Sequence, residues 1–335
     1  MATLNSSLHA NDSDECFGDF CYCWLSLNFK ALDMSTFFFY LFFLLVGLIE
    51  NIIVIWINWQ MKKSRKESNL YIFNMAVADM CAVLFIPFRM TETIYNYHWM
   101  WGSFLCKLDS FFYAVNLYSS IFFLACFSVD GYVTLRYPFQ AQGSRERRIR
   151  RMVCVCVWTV AILISIPQFV YSEIFGTVYI YCFADSMLSL NVTNSLTLLF
   201  GFIIPLPIII VSNVFTARAV KDSSNVESIR TRKIIYVYII VFLLCWAPYY
   251  IFLFLSLIDM FLSCIMIQLV YFLYDLMECL TFSHCIINPI LYNFIHKDFR
   301  YHLAANVVKY MPKQYVKEDD DVSISSDTRH IVVIT

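Results

Sequence analysis

The sequence predicts an all-α membrane protein, a bundle of seven transmembrane helices followed by a short amphipathic eighth helix, on two observations. The first is composition: 60% of the 335 residues are hydrophobic, 18% aromatic and only 15% charged, more apolar surface than a soluble domain of this length can bury. The second is that this apolar content falls into seven windows, each as long as the roughly 20 residues a helix needs to cross a bilayer. Short polar or basic connections separate them, with no Gly/Ser linker, internal repeat or second compositional regime before the tail. The chain therefore divides into an extracellular tail over 1–35, a membrane domain over 36–296, an amphipathic helix over 297–310 and a disordered cytoplasmic tail over 311–335.

The opening "MATLNSSLHANDSDECFGDF" is polar and acidic and lacks the basic-then-apolar pattern of a cleaved signal, so the first window is expected to act as its own anchor. The windows run over Thr36–Trp59, Leu70–Tyr95, Ser103–Leu135, Arg151–Tyr171, Ser195–Ala219, Ile234–Leu257 and Ile267–Phe294. Lysines and arginines crowd alternate connections: Lys62 to Lys66, Arg145 to Arg151, Arg218 to Lys233, then Lys297 and Arg300. The opposite set holds little more than Lys30, Arg89 and Lys107. Positive charge stays inside, which puts the N-terminus outside and the C-terminus in the cytosol of a plasma-membrane protein. Glycosylation triplets at Asn5, Asn11 and Asn191 and an even set of cysteines (Cys16, Cys21, Cys23, Cys106, Cys182, Cys264) all fall on the outer side, where such chemistry occurs.

Charge then indicates a partner. Asp12, Asp14, Glu15, Asp19 and Asp33 in the tail and Glu173, Asp185 and Asp259 in the outer loops face few cations and would draw in a basic ligand. Asp275 and Glu278 lie within four residues on one helical face near the outer mouth, and Tyr22 beside Asp19 offers a site for sulfation. Within the membrane, Asp79 is costly enough to face the bundle interior and find partners. Pro248 and Pro289 interrupt their helical ladders and allow hinges.

An ordered set of motifs carries a resemblance over nearly the whole chain. "GLIEN" holds Asn51, "NMAVAD" holds Asp79, Cys106 opens the third helix, Trp158 sits in the fourth, "CWAPYY" in the sixth and "NPILY" at Asn288 to Tyr292 in the seventh. Together they resemble the rhodopsin-like class of G-protein-coupled receptors. "YHWMWGSFLC", "SHCIINPILYNF" and "YSSIFFLACFSVD" are similar to the chemokine-receptor group, the atypical chemokine receptors in particular. The resemblance implies a Cys106–Cys182 disulfide and a second one from Cys264 to a tail cysteine. Cys23 is preferred there, although four spare cysteines allow three connectivities. It implies a basic chemokine-type ligand met by Glu278, with Asp275, Trp101, Asp109, Asp185, Tyr22 and Asp19 completing the ligand-binding set. It also implies a sodium ion among Asp79, Asn116, Ser120 and Asn288, with no other cofactor. Trp246, Pro248, Asn288, Pro289 and Tyr292 would form the switch that links the two faces.

One stretch departs from the class. In "FSVDGYVTLRYPF", Asp130-Gly131-Tyr132 puts glycine where the class has an arginine that contacts the G protein. Gly131 cannot do this, and it leaves Asp130 without its usual neighbour. Asn213, eight residues beyond Pro205, replaces a tyrosine that supports the arginine, and the sixth helix begins "RTRKII" without an acid. Three altered parts of one switch imply a receptor that binds and internalises its ligand, cycling through endosomes, with little or no G-protein signalling. Ser323, Ser325, Ser326 and Thr328 lie among acids in the tail, suited to receptor kinases and then to an arrestin's basic surface. Phe299, Tyr301 and Leu303 among basic residues would rest on membrane lipids.

Other classes fit less well. A conventional signalling receptor that tolerates Gly131 is the main alternative, and a transporter, which would show inverted repeats, a distant one. An opsin needs a buried lysine in the last helix, and none occurs between Lys233 and Lys297. Neither an enzyme nor a nucleic-acid partner is expected. His284 with Cys285 is the nearest approach to a catalytic pair, but adjacent residues on a helix point in different directions, so His284 is read as packed and hydrogen-bonded.

Overall fold

A computed structural model describes residues 14–17, 20–23, 30–60, 69–95, 98–137, 144–176, 180–221, 226–258 and 276–295. Strands β1 (Asp14–Phe17) and β2 (Phe20–Cys23) form an antiparallel hairpin that sets Cys16 opposite Cys21. Helix α1 (Lys30–Gln60) follows, then α2 (Asn69–Val83) and α3 (Ile86–Ile94), α4 (Gly102–Arg136) and α5 (Ser144–Tyr171). A second hairpin, β3 (Ser172–Phe175) with β4 (Tyr181–Ala184), leads to α6 (Met187–Leu198), a π-helical turn over Leu199–Ile203, and α7 (Pro205–Lys221). Helix α8 (Val226–Leu257), α9 (residues 276–282) and α10 (His284–Ile295) complete the described chain. Six helical spans are long and apolar enough to cross a membrane, and the shorter apolar helix Leu276–Leu291 stands at the seventh position.

Burial agrees with a bundle solvated by lipid. On α1 the exposed apolar residues Phe38, Phe42, Leu45, Ile49, Ile52, Trp56 and Trp59 recur every three or four positions and make one stripe, while Tyr40, Phe43, Val54 and Ile57 turn inward. Helix α4 is the central strut, with every residue from 114 to 121 buried against its neighbours. Spans bend where a backbone donor is missing. Pro87 opens α3 and separates it from α2, and Pro205 follows the π turn, in which the Ile204 amide reaches back to the Leu199 carbonyl. Gly201 in that turn is required by close approach, since a Cβ there would meet the Tyr250 hydroxyl at 2.5 Å.

Four helices begin well before the sequence expectation: α1 at Lys30 and not Thr36, α8 at Val226 and not Ile234, and two more whose local causes are visible. The fourth span begins at Ser144, not at Arg151, because the basic run contains no breaker and arginine propagates a helix well. The fifth begins at Met187, where the Ser186 hydroxyl caps the helix by accepting from the Ser189 amide at 3.2 Å. Asn191, expected in a loop before Ser195, is therefore an exposed helical residue. The expected amphipathic helix over 297–310 and the tail over 311–335 lie outside the described residues.

Candidate functional site

The outer mouth is organised by a cation that the sequence reading counted only as a loop charge. Arg89 on α3 donates through Nη2 to Asp109 Oδ2 on α4 at 2.7 Å and through Nη1 to Glu278 Oε1 on α9. Its guanidinium lies 5.0 Å from the Tyr113 ring centre and 5.8 Å from that of Phe282. Asp109 and Glu278 are both buried, so each charge depends on the others. Two acids and one base leave a single net negative charge. Asp109 Oδ1 and Arg89 Nε are buried without a hydrogen-bond partner among the described residues. Glu278, expected to meet a basic ligand, is thus paired within the bundle with Arg89.

The remaining predicted ligand residues divide. Trp101 is exposed above α3, with its indole N–H donating to Thr91 Oγ1 at 2.8 Å and its ring edge-on to Phe88. Asp185 is exposed beyond β4, held by its amide's bond to the Tyr171 carbonyl at 2.7 Å. Asp19 and Asp275, and the side chain of Tyr22, lie outside the described residues, as do Asn5, Asn11, Cys264 and the Cys23 side chain. The Cys106–Cys182 disulfide is formed and ties β4 to the top of α4. Lys107 and Ser103 both donate to the Glu173 carboxylate, and these bonds hold its pKa below the ordinary value of 4.5. A depressed carboxylate contributes above its unfolded pKa and is lost only as pH falls through the lower folded one. Glu173→Gln is therefore expected to leave the pH profile of ligand binding unchanged between about pH 7 and about pH 5, as checked by binding titrations on cells.

In the middle of the bundle, Asp79 is fully buried, and all four residues of the expected sodium cluster meet there. Asn116 Nδ2 and Ser120 Oγ donate to Asp79 Oδ1 at 2.8 and 3.3 Å, and Asn288 Nδ2 to Oδ2 at 3.2 Å. A cavity of about 10 Å³, room for one water-sized occupant, is lined by Asn51, Asp79 and Asn288. Asn51 donates to the Gly47 and Cys285 carbonyls, and its buried Oδ1 has no partner among the described residues. The carboxylate, the Ser120 hydroxyl and this amide oxygen fit a small hard cation. His284 also reaches this centre, with Nε2 3.3 Å from Asp79 Oδ1, and Cys285 Sγ lies 3.6 Å from the same nitrogen. Adjacent residues of α10 thus converge on one carboxylate, contrary to the expectation that they diverge. Trp246 packs on His284 at 5.1 Å and on Phe242 and Tyr250, two residues before Pro248 in α8. Pro289 lies inside α10, and the Tyr292 side chain is outside the described residues.

At the inner end, Asp130 is not left alone. Arg150 on α5, itself buried, donates from Nε to Asp130 Oδ1 at 2.8 Å and from Nη2 to Thr134 Oγ1 at 3.3 Å. The acid that lacks a neighbour on its own helix is neutralised from the next one. Gly131 follows, half-buried, and Tyr132 leans on Phe215 of α7, ring centres 5.7 Å apart. Asn213 donates to the Ile209 carbonyl of its own helix at 2.6 Å, and its Oδ1 has no hydrogen-bond partner among the described residues.

Buried polar clusters along a single bundle axis and a disulfide at its outer end define a seven-transmembrane receptor. Residues 50–292 match the 7 transmembrane receptor (rhodopsin family) model, and the chain belongs to that family, one of receptors and not of enzymes. Among its relatives, the chain is 38% identical over 323 residues to G-protein coupled receptor 182 of Rattus norvegicus, covering 93% of this chain and 82% of the relative. It is 32% identical over 336 residues to atypical chemokine receptor 3 of Homo sapiens, covering 96% and 92%. It is 30% identical over 287 residues to the type-1 angiotensin II receptor A of Xenopus laevis, covering 80% and 77%. The chain is thus a multi-pass membrane receptor of the chemokine-like branch.

Proposed function

We propose that this receptor stands in the plasma membrane with its N-terminus outside, binds a basic chemokine-type protein and internalises it with little or no G-protein activation. The observation that carries the reading is the inner end of α4: Gly131 offers no cation to a G protein, Arg150 occupies Asp130, and among the described residues Asn213 bonds within its own helix. The net negative charge of the Arg89–Asp109–Glu278 cluster, with exposed Trp101 and Asp185 near it, supports a cationic ligand. The names of the relatives, atypical chemokine receptor 3 among them, support the same class. Uptake would proceed through receptor kinases acting on Ser323, Ser325, Ser326 and Thr328, arrestin recruitment and endosomal cycling, with glycans on Asn5, Asn11 and Asn191 outside. Asp79 with Asn116, Ser120 and Asn288 would hold sodium in the resting bundle, beside the Asn51 amide oxygen.

Cells expressing the chain should take up labelled basic chemokines and recruit arrestin without ligand-dependent nucleotide exchange. Strong agonist-driven exchange would leave the conventional receptor in place of this reading. Gly131→Arg alone should restore little exchange, because Arg150 already holds Asp130 and Asn213 gives no support. Adding Asn213→Tyr should recover more than the sum of the two single changes, since the positions act on one switch. A full return of exchange with Gly131→Arg alone would place the defect in the missing side chain only.

A further inference from the structure

We propose that Asp79, His284 and Cys285 form a site for a borderline-soft divalent metal ion of the zinc class, which ties the second span to the seventh. One ligand atom from each lies within 4.8 Å of the others, and all three residues are buried. Tetrahedral zinc, with bonds of about 2.0–2.1 Å to nitrogen or oxygen and about 2.3 Å to sulfur, sets neighbouring ligand atoms about 3.3 Å (N to O) and about 3.6 Å (N to S) apart. His284 Nε2 stands 3.3 Å from Asp79 Oδ1 and 3.6 Å from Cys285 Sγ, so two of the three edges among these ligand atoms already have the length zinc needs, and the third lies within 4.8 Å.

The orientation of the imidazole adds a second argument. His284 Nδ1 bonds the Thr281 carbonyl, so in the neutral ring Nδ1 carries the hydrogen and Nε2 turns a lone pair toward Asp79. Nε2 and the carboxylate oxygen therefore call for a cation between them, which is either a proton or a bound metal ion. A backbone carbonyl on the far ring nitrogen is also the usual outer support of a metal-bound histidine. The donor set separates this site from a sodium site on the same carboxylate: sodium takes oxygens, whereas imidazole and thiolate suit zinc-like ions. The adjoining cavity, walled by Asp79 and Asn51, has room for one water-sized occupant, so a metal-bound water as fourth ligand and a sodium ion there exclude each other. On binding, the Cys285 thiol loses its proton to solvent, and carboxylate plus thiolate balance the dication.

This inference does not depend on the proposed ligand. The untagged, purified full-length receptor would be titrated with Co²⁺ as a spectroscopic probe and with Zn²⁺. The expected result is one equivalent with a thiolate-to-cobalt charge-transfer band and tetrahedral d–d bands, displaced by Zn²⁺. Both should be lost in Cys285→Ala and in His284→Ala, together with a Zn²⁺-dependent rise in Tm that sodium at equal ionic strength does not produce. The unaltered chain keeps the test decisive if a variant fails to fold. Absence of the thiolate band from the folded wild-type chain, or a band and Tm shift that persist in both variants, would overturn the proposal.

Discussion

Arg89→Met is expected to lower the unfolding free energy of the receptor by about 3–5 kcal/mol, the usual penalty for removing one partner of a buried ionic cluster. The change strands Asp109 and Glu278 on different helices, both buried, with no cation between them. Thermal unfolding in detergent and surface expression both report the loss. Compensation makes the test specific. Arg89→Met with Asp109→Asn and Glu278→Gln removes all three charges, leaves no orphan, and should recover most of the stability without the ion pairs, because buried pairs contribute little net stability of their own. If the triple variant is as unstable as the single, the arginine acts through packing on Tyr113 and Phe282 and not through its charge.

The same cluster changes what the acids mean for binding. With Glu278 open, Glu278→Gln would remove a contact to the ligand and nothing more. In the structure it also releases one arm of Arg89, whose other arm stays on Asp109. Neutralising Glu278 takes the Arg89–Asp109–Glu278 cluster from one net negative charge to zero, so uptake of a basic ligand should fall and become less sensitive to salt, as screened electrostatics requires. Loss of uptake at unchanged salt dependence would argue for a shape contact in place of charge.

How much of this was legible beforehand depended on whether a feature is local. The seven spans were legible because lipid leaves a composition and length signature in each segment independently. Asp79 and its partners were legible through their motifs. Helix ends were less so: a basic run with no breaker reads as a loop on charge but winds as a helix at Arg145 to Arg151. Arg89 carried a signal that sidedness counting concealed, since an arginine inside an apolar window, ten residues after Asp79, requires an acid within reach. Which acids answer it depends on three helices meeting, and periodicity along one chain segment does not contain that. Arg150 is the same case: one cation among five in its cluster, selected for Asp130 only by the packing of α5 on α4. Asp19, Asp275 and the Cys23–Cys264 pairing fall outside the described residues.

Replacing Cys106 or Cys182 by alanine is expected to abolish ligand uptake at the cell surface. The bond closes a loop of sequence separation 76, for which the chain-entropy account gives about 4.5 kcal/mol. Two membrane spans lie within that loop, and the bilayer already restricts the unfolded chain, so the lower part of the usual range of about 2–4 kcal/mol is expected. Position matters more than magnitude. The β3–β4 hairpin is otherwise held to the top of α4 and its approach by hydrogen bonds: Lys107 Nζ to the Ser172 carbonyl at 2.9 Å, the Ile180 amide to His98 Nδ1 at 3.0 Å, and the Trp99 amide to the Ile180 carbonyl at 2.6 Å. Each contributes about 0.5–1.5 kcal/mol net, and water competes for all of them. Without the disulfide the hairpin can leave α4, taking Asp185 with it, while the buried clusters around Asp79 and Asp130 are untouched. Because both substitutions break one bond, the double variant should lose no more than either single. It should do somewhat better if the orphan thiol of a single variant mispairs with an outer cysteine. Cys156→Ala, which removes an exposed free thiol, is the control with no expected effect. Mass spectrometry that found Cys106 and Cys182 both reduced in surface-expressed, ligand-competent receptor would show that the hydrogen bonds alone hold the hairpin in place.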